Sequence, residues 1–122
     1  MPLISALQDI AAANAIGVGT FDLVGAAYSA TLSGDLTLTA KHPAILKLDP
    51  AASSRDVTLE AEATCPGRVR WIINAADADE DLVVKDDSGV TTIVTIDQNE
   101  SAVVYCDGTA WTLIAVVAIA LS

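Results

Sequence analysis

The chain has 122 residues and a mass of 12.5 kDa, and its 6 Lys and Arg against 16 Asp and Glu give a formal net charge of −10. That length predicts one domain, which can bury enough surface to fold without a metal ion or a disulfide. The acidic balance argues against nucleic acid and anionic membranes as partners, because binding to either depends on Lys and Arg.

Composition favours a β-sheet protein. Hydrophobic residues make up 52% of the chain, which argues against intrinsic disorder, and Val, Ile and Thr together supply 33 residues. The N-terminus lacks the basic region of a signal peptide, and no apolar stretch is long enough for a spanning helix, so we expect a soluble, non-secreted protein. Cys65 and Cys106 form no CxxC motif. We expect reduced thiols, with a disulfide as the alternative.

The first segment of the chain, residues 1–16, is predicted to be a short helix or docking arm. Apolar residues recur there at helical spacing, and Ser5 and Gln8 stand in the relation of a capping box. Residues 17–122 then form the β-sandwich domain. The apolar positions of the arm are Leu3, Ile4, Leu7 and Ile10.

From Gly17 onward, short runs of Thr, Val, Leu and Ile alternate with turn residues at the spacing of an all-β sandwich or barrel. About eight strands are predicted from nine candidate segments, of which the first has the weakest pattern. Several runs alternate between apolar and polar residues, as antiparallel strands with one face in water do. The segments are residues 20–28, 35–39, 44–48, 57–63, 68–73, 82–86, 92–96, 101–106 and 111–118.

The run 57–63 shows this alternation along its whole length. Val57 and Leu59 fall on one side of the strand, and Glu60 and Glu62 fall on the other. Since one side of such a strand faces the core, the two glutamates are expected in solvent.

Three turns with hairpin composition connect the later strands, at residues 87–89, 97–100 and 107–108. Asp107-Gly108 is the strongest signal, because a two-residue hairpin loop needs positive φ at both positions. With these two residues as the loop, Val104 pairs with Trp111 on one apolar face.

The C-terminal run 113–121 carries no charge and is apolar on both faces. A strand of this kind must be covered on both sides. It is either a central strand of the sandwich or a strand that another subunit covers. In the second case, Val116, Val117 and Ile119 are candidate contacts between subunits.

Arg68 and Arg70 alternate with apolar residues, so their guanidinium groups lie on one face of the predicted strand. They pair either with acidic residues of the same chain or with those of a neighbouring subunit. The second alternative makes both arginines candidate interface residues.

No arrangement of residues indicates catalysis or a bound cofactor, so the sequence predicts a protein that is not an enzyme. His42 is the single histidine, which leaves no second imidazole for a zinc site. The acidic segment 77–81 has the spacing of a calcium loop, but Leu82 and Ser88 stand where such a loop needs Gly and Glu. An irregular calcium site and a charged, solvated loop are the two interpretations.

Three segments of the second half carry a resemblance to a known group of proteins, namely residues 67–75, 81–89 and 103–111. They contain a strand ending in Asn-Ala, a hairpin over an Asp-rich turn and a closing Asp-Gly-x-x-Trp hairpin. Together they resemble the sandwich module of tailed-bacteriophage structural proteins, which include capsid decoration (cement) proteins and tail-fibre tips. The resemblance covers roughly residues 55 to 118, and its motifs are structural rather than catalytic.

This resemblance implies a jelly-roll-like, antiparallel β-sandwich that assembles as a homotrimer and acts in the virion. A short, acidic, single-domain chain is most similar to the decoration proteins, which stabilise the shell by binding the major capsid protein at local three-fold positions on the outer capsid surface. Such a protein is made in the cytoplasm of the bacterial host. The arm residues Leu3, Ile4, Leu7 and Ile10 are candidate contacts to the shell or to a neighbouring subunit. A receptor-binding module of a tail fibre or baseplate is the alternative, and an enzyme or small-molecule binder on the same scaffold is the third hypothesis.

Overall fold

The computed structural model describes residues 27–120, in which nine strands form two packed sheets. This confirms the all-β sandwich class. Within residues 27–120, no helix has the length and apolar character needed to cross a membrane. The strands are β1 (Tyr28–Thr31), β2 (Leu36–Thr37), β3 (Ile45–Asp49), β4 (Arg55–Thr58), β5 (Val69–Asn74), β6 (Leu82–Lys85), β7 (Thr92–Ile96), β8 (Glu100–Cys106) and β9 (Trp111–Ala118).

The first six strands alternate between the two sheets. Strands β1, β3 and β5 belong to a five-stranded sheet of order β1-β3-β5-β8-β9, and β2, β4 and β6 belong to a four-stranded sheet of order β2-β4-β6-β7. Between two successive strands of one sheet, the chain forms a strand of the other sheet. This intervening strand is the long crossover connection that parallel neighbours need. The pairs β1–β3, β3–β5, β2–β4 and β4–β6 are therefore parallel.

The last three strands reverse this direction. Strand β7 forms a hairpin with β6, and β8 runs antiparallel to both β5 and β9. Among the strands of residues 27–120, the predicted antiparallel, jelly-roll-like pairing is correct for these three pairs and wrong for the four parallel ones. Alternation within a strand indicates a half-buried face, but it carries no information about the direction of the neighbouring strand.

Apolar side chains on the facing sides of the two sheets form a single core. Its members from both sheets include residues with no exposed surface, namely Leu46, Leu48, Val57, Ile72, Leu82 and Val84. Burial of this apolar surface holds the sheets together.

Asn74 is buried at the end of β5 with all its amide groups used. Its Nδ2 donates hydrogen bonds to the backbone oxygens of Glu80 and Ile96, each at 2.9 Å. Its Oδ1 accepts the N–H of Ala76, also at 2.9 Å. Because Ile96 lies on β7, this side chain connects the two sheets at the edge of the core.

The predicted strand 57–63 ends earlier than expected. Strand β4 stops at Thr58, and a 3-10 turn follows at Glu62–Thr64. The prediction that Glu60 is solvent-exposed is wrong, because its side chain is only 8% exposed and pairs with Arg70 on β5.

The predicted hairpin at residues 97–100 is also wrong. Strand β7 lies in the four-stranded sheet and β8 lies in the five-stranded one, so this turn carries the chain between sheets. Asn99 adopts a φ of 64° there, a left-handed conformation that Asn tolerates better than most residues.

The β8–β9 hairpin is confirmed, with a longer loop than expected. Cys106 pairs with Trp111, which leaves the four residues 107–110 in the loop. The Asp107 carboxylate accepts the N–H groups of Thr109 and Ala110, each at 2.8 Å, and these bonds favour the longer loop. They also lower the pKa of Asp107. The register differs from the predicted one by two residues, so Trp111 keeps its predicted inward orientation.

Candidate interaction surface

Strand β9 forms one edge of the five-stranded sheet. It pairs with β8 on one side, and no strand within residues 27–120 pairs with its other side. Its sequence contains neither a charged residue nor a proline. Natural edge strands are usually protected by such residues or covered by another segment. The free side of β9 is therefore a surface suited to association.

Large apolar side chains are exposed along this edge. Their exposed fractions run from 37% for Tyr105, which lies on the neighbouring β8, to 60% for Ile114. A bulge in the pairing of β8 with β9 interrupts the register, and apolar residues of β9 lie on both faces of the sheet. We call the following five residues the β9 patch: Tyr105, Leu113, Ile114, Val116 and Val117.

The outward side of the four-stranded sheet is polar. It carries Thr37, Thr58 and Thr95. The side chain of each points away from the core, opposite to the core-facing residues of its strand. The ammonium group of Lys85 lies 3.0 Å from the carboxylate of Asp56 on the same side. This is the composition expected of a sheet face in water.

The outward side of the five-stranded sheet is apolar over β5 and β8, while β1 and β3 place Ser29, Thr31 and Lys47 there. Strand β5 holds Arg70, Ile72 and Asn74 at its buried positions and apolar residues at its outward ones. We call the following five residues the outer face: Val69, Trp71, Ile73, Val103 and Tyr105. The first four are half-buried, and Tyr105, which belongs also to the β9 patch, is 37% exposed.

Trp71 occupies the middle of the outer face. Cross-strand pairing places it beside Ile45 on β3 and Val103 on β8. Its indole N–H donates to the hydroxyl of the buried Ser101 at 3.0 Å. The indole therefore has its polar atom satisfied within the sheet, and its apolar surface is left for contact.

Both candidate arginines pair with Glu60 of the same chain. Arg70 is 1% exposed, and each of its three nitrogens is engaged within the domain. Nε donates to Glu60, Nη1 donates to the backbone oxygens of His42 and Pro43, and Nη2 donates to that of Thr39 and forms an ion pair with Glu60. The interpretation that Arg70 contacts a neighbouring subunit is therefore wrong, since its donors are occupied inside the domain. Arg68 pairs with the same carboxylate from a position that is 32% exposed.

His42 holds the loop that precedes β3. Its Nδ1 accepts the N–H of Thr39 at 2.9 Å, and its ring meets that of Tyr28 edge to face with centroids 5.4 Å apart. The imidazole is engaged in these local contacts, as a structural histidine is.

Two groups of neighbouring acidic residues occur in the described part of the chain. Carboxylate oxygens of Glu62, Asp86 and Asp87 lie within 4.8 Å of one another. The second group surrounds Asp81, where burial and the neighbouring Asp97 and Asp79 carboxylates raise the pKa of its side chain. The predicted calcium segment takes no part in the first group, because none of Asp77, Asp79 and Asp81 belongs to it.

The two cysteines are free thiols buried next to each other. Cys65 Sγ lies 3.5 Å from the backbone oxygen of Ala61, and Cys106 Sγ lies 3.4 Å from that of Glu62. Burial, together with the hydrogen bond to Cys106, raises the pKa of the Cys65 thiol to about 11. Such a thiol is a poor nucleophile at neutral pH.

The remaining candidate residues divide between the β9 edge and the undescribed N-terminus. Val116 and Val117 are exposed on β9, and Ile119 is half-buried just beyond it. The backbone N–H of Ile119 donates a hydrogen bond to the backbone oxygen of Asn99. The arm residues Leu3, Ile4, Leu7 and Ile10 lie outside the described residues, as does most of the predicted strand 20–28.

Sequence reasoning missed the outer face. Tyr105 is 37% exposed and Trp71 is half-buried on the outward side, and neither was identified as a surface residue from the sequence. The period of two along β5 was the available signal. It places Val69 and Trp71 on one side of the strand and the buried Ile72 on the other.

Comparison of the chain with family models, curated proteins and solved structures finds no significant match.

Proposed function

We propose that this protein is a non-enzymatic structural protein of a phage virion, which assembles as a homotrimer and decorates the outer capsid surface at local three-fold positions. The observation that carries the proposal is the free, uncharged edge of β9 with its exposed apolar patch. The trimeric state and the capsid partner come from the resemblance of residues 55–118 to the sandwich modules of phage structural proteins.

The β9 patch supports self-association in particular. Fully burying a large apolar side chain contributes roughly 1.5–3 kcal/mol, so the half-exposed residues of the patch contribute on the order of 1 kcal/mol each. The formal net charge of −10 makes the rest of the surface mutually repulsive. Association between copies is therefore favoured where the chain carries no charge.

Light scattering on a sizing column tests the oligomer directly. We expect the natural chain to have three times the 12.5 kDa chain mass. Val116→Lys places a charge in the β9 patch and should give a monomer, while the matched control Thr95→Lys places the same charge on the polar face and should leave the trimer intact. A natural chain that is monomeric at tens of micromolar, or a Val116→Lys variant that stays trimeric, contradicts the assignment.

Co-sedimentation with purified shells of the phage that encodes the protein tests the capsid role. Full-length trimer should pellet with shells that lack it. Serine substitutions at Leu3, Ile4, Leu7 and Ile10 together should abolish pelleting without changing the native mass, and Gln8→Ser should have no effect. A trimer that never pellets with shells refutes decoration and favours the tail-fibre or baseplate alternative.

A further inference from the structure

The apolar outer face has the composition of a covered surface. Strand β5 inverts the usual arrangement, since it places Arg70 and Asn74 inside and Val69, Trp71 and Ile73 outside. The opposite side of the sandwich, on the four-stranded sheet, is polar. The part of the five-stranded sheet over β5 and β8 therefore calls for a covering segment, while β1 and β3 carry polar residues on that side.

The chain enters the described fold beside this face. Parallel pairing puts Tyr28, Leu46 and Ile72 at one level of the sheet, so Ala27, Ile45 and Trp71 share the level before it. Neighbouring strands are about 4.8 Å apart, which places Ala27 roughly 10 Å from Trp71 across two strand spacings. The segment that precedes Ala27 thus begins at the margin of the outer face.

That segment has the composition of a covering layer. Residues 1–26 contain 16 hydrophobic residues, two acidic residues and no basic ones. The part nearest to β1 is residues 16–24, Ile-Gly-Val-Gly-Thr-Phe-Asp-Leu-Val, and it includes Phe21, the single phenylalanine of the chain. Nine extended residues reach about 30 Å, more than the width of five strands, which is about 19 Å.

Charge on the same side is complementary to this segment. Lys47 is exposed on β3, pairs across the sheet with Ile73, and has no ion pair within residues 27–120. Asp22 is the one charged residue of 16–24. In an extended segment Asp22 would project opposite to Phe21 and Leu23, so the long Lys47 side chain would reach its carboxylate past the border of the segment while the apolar neighbours contact the sheet.

We propose that residues 16–24 pack across the outer face of their own chain, with Phe21 and Leu23 over Trp71 and Val103 and with Asp22 paired with Lys47. This layer anchors the arm to the domain and leaves residues 1–14 to reach a partner. The inference is independent of the capsid role, because it concerns a contact within one chain.

Acrylamide quenching of tryptophan fluorescence in the full-length protein tests this packing. Trp111 is only 6% exposed, so the accessible signal reports on Trp71. Phe21→Ser with Leu23→Ser should increase the quenching constant and shift the emission to the red. Leu3→Ser with Leu7→Ser is the matched control and should leave both unchanged.

Two further variants define the outcome. In a Trp71→Phe background the effect of Phe21→Ser with Leu23→Ser should disappear, which assigns the signal to Trp71. If the double serine variant loses its β-sheet circular dichroism, Phe21→Ala alone should give the same changes to a smaller extent. Equal quenching with and without Phe21 overturns the proposal. Protection of Trp71 that is lost on dilution also overturns it, because a second copy of the chain would then cover the outer face.

The two proposals can fail separately. Loss of shell binding with Trp71 still protected affects only the capsid role. Unchanged Trp71 quenching in a trimer that binds shells refutes only the packing of residues 16–24.

Discussion

Replacement of Arg70 by alanine should strongly destabilise the fold. The guanidinium group makes four hydrogen bonds, one to Glu60 and three to the backbone oxygens of Thr39, His42 and Pro43, and its Nη2 forms an ion pair with Glu60 at 2.8 Å. The side chain is 1% exposed, so water has little access to the groups that the substitution leaves unpaired. The arginine thus holds the loop before β3 and a buried carboxylate together.

The expected loss can be worked from these contacts. Removing one partner of a buried ion pair costs about 3–5 kcal/mol. Arg68 still pairs with Glu60 in the variant, which places the loss near the lower limit, at about 3 kcal/mol. With a urea m-value of about 1–3 kcal/mol per molar, the unfolding midpoint should fall by roughly 1–3 M.

Arg68→Ala is the matched control, because it removes the other cation from the same carboxylate. Arg68 is 32% exposed, and ion pairs near the surface contribute only about 0–1 kcal/mol. Arg70→Lys should fall between the two, since an ammonium group has three donors for five acceptor positions. Urea unfolding at pH 7 and one protein concentration measures all three variants. Equal losses for Arg68→Ala and Arg70→Ala would refute the reasoning.

Two further predictions concern the turn and thiol region beside this network. Gly108 has a φ of 94°, and an added Cβ would lie 3.2 Å from Cβ of Pro66, so Gly108→Ala should cost on the order of 1–2 kcal/mol in urea unfolding. Gly34→Ala meets no atom within 4 Å and should change stability by less than about 0.5 kcal/mol; an equal effect of both substitutions would contradict the backbone argument. Burial raises the pKa of Cys65 from 9.0 to about 11, so the unfolded chain releases this proton first and the free energy of unfolding should decrease between pH 9 and pH 11. Cys65→Ala should show a shallower decrease over the same range, and identical pH profiles would rule out this linkage.

Much of the fold could be predicted from local patterns. The strands of the second half were placed well because each is bounded by turn residues and its apolar positions alternate, as in β6 and β7. The β8–β9 hairpin was found from Asp107-Gly108. Its loop length was not, because the capping of Thr109 and Ala110 by the Asp107 carboxylate depends on the folded geometry.

Neither the parallel strand pairs nor the buried ion pairs of Glu60 could be predicted from local patterns. A strand that is half-buried has the same alternation whether its neighbour is parallel or antiparallel, so the crossing of β1 to β6 between two sheets leaves no trace in any single strand. Glu60 occupies a polar position of a regular pattern, and its burial becomes favourable only through its partners Arg68 and Arg70, which the pattern does not reveal.

The chemistry of the two sheets also fixes how an assembly of this protein must be oriented. The five-stranded sheet carries the uncharged β9 edge and the apolar outer face, while the four-stranded sheet carries the Lys85–Asp56 pair and the hairpin with Asp86 and Asp87. Burying the second sheet would desolvate charged groups, whereas burying the first removes apolar surface from water. Subunits that associate should therefore meet along the β9 edge of the five-stranded sheet, since residues 16–24 are proposed to cover its outer face, and the polar sheet should face solvent.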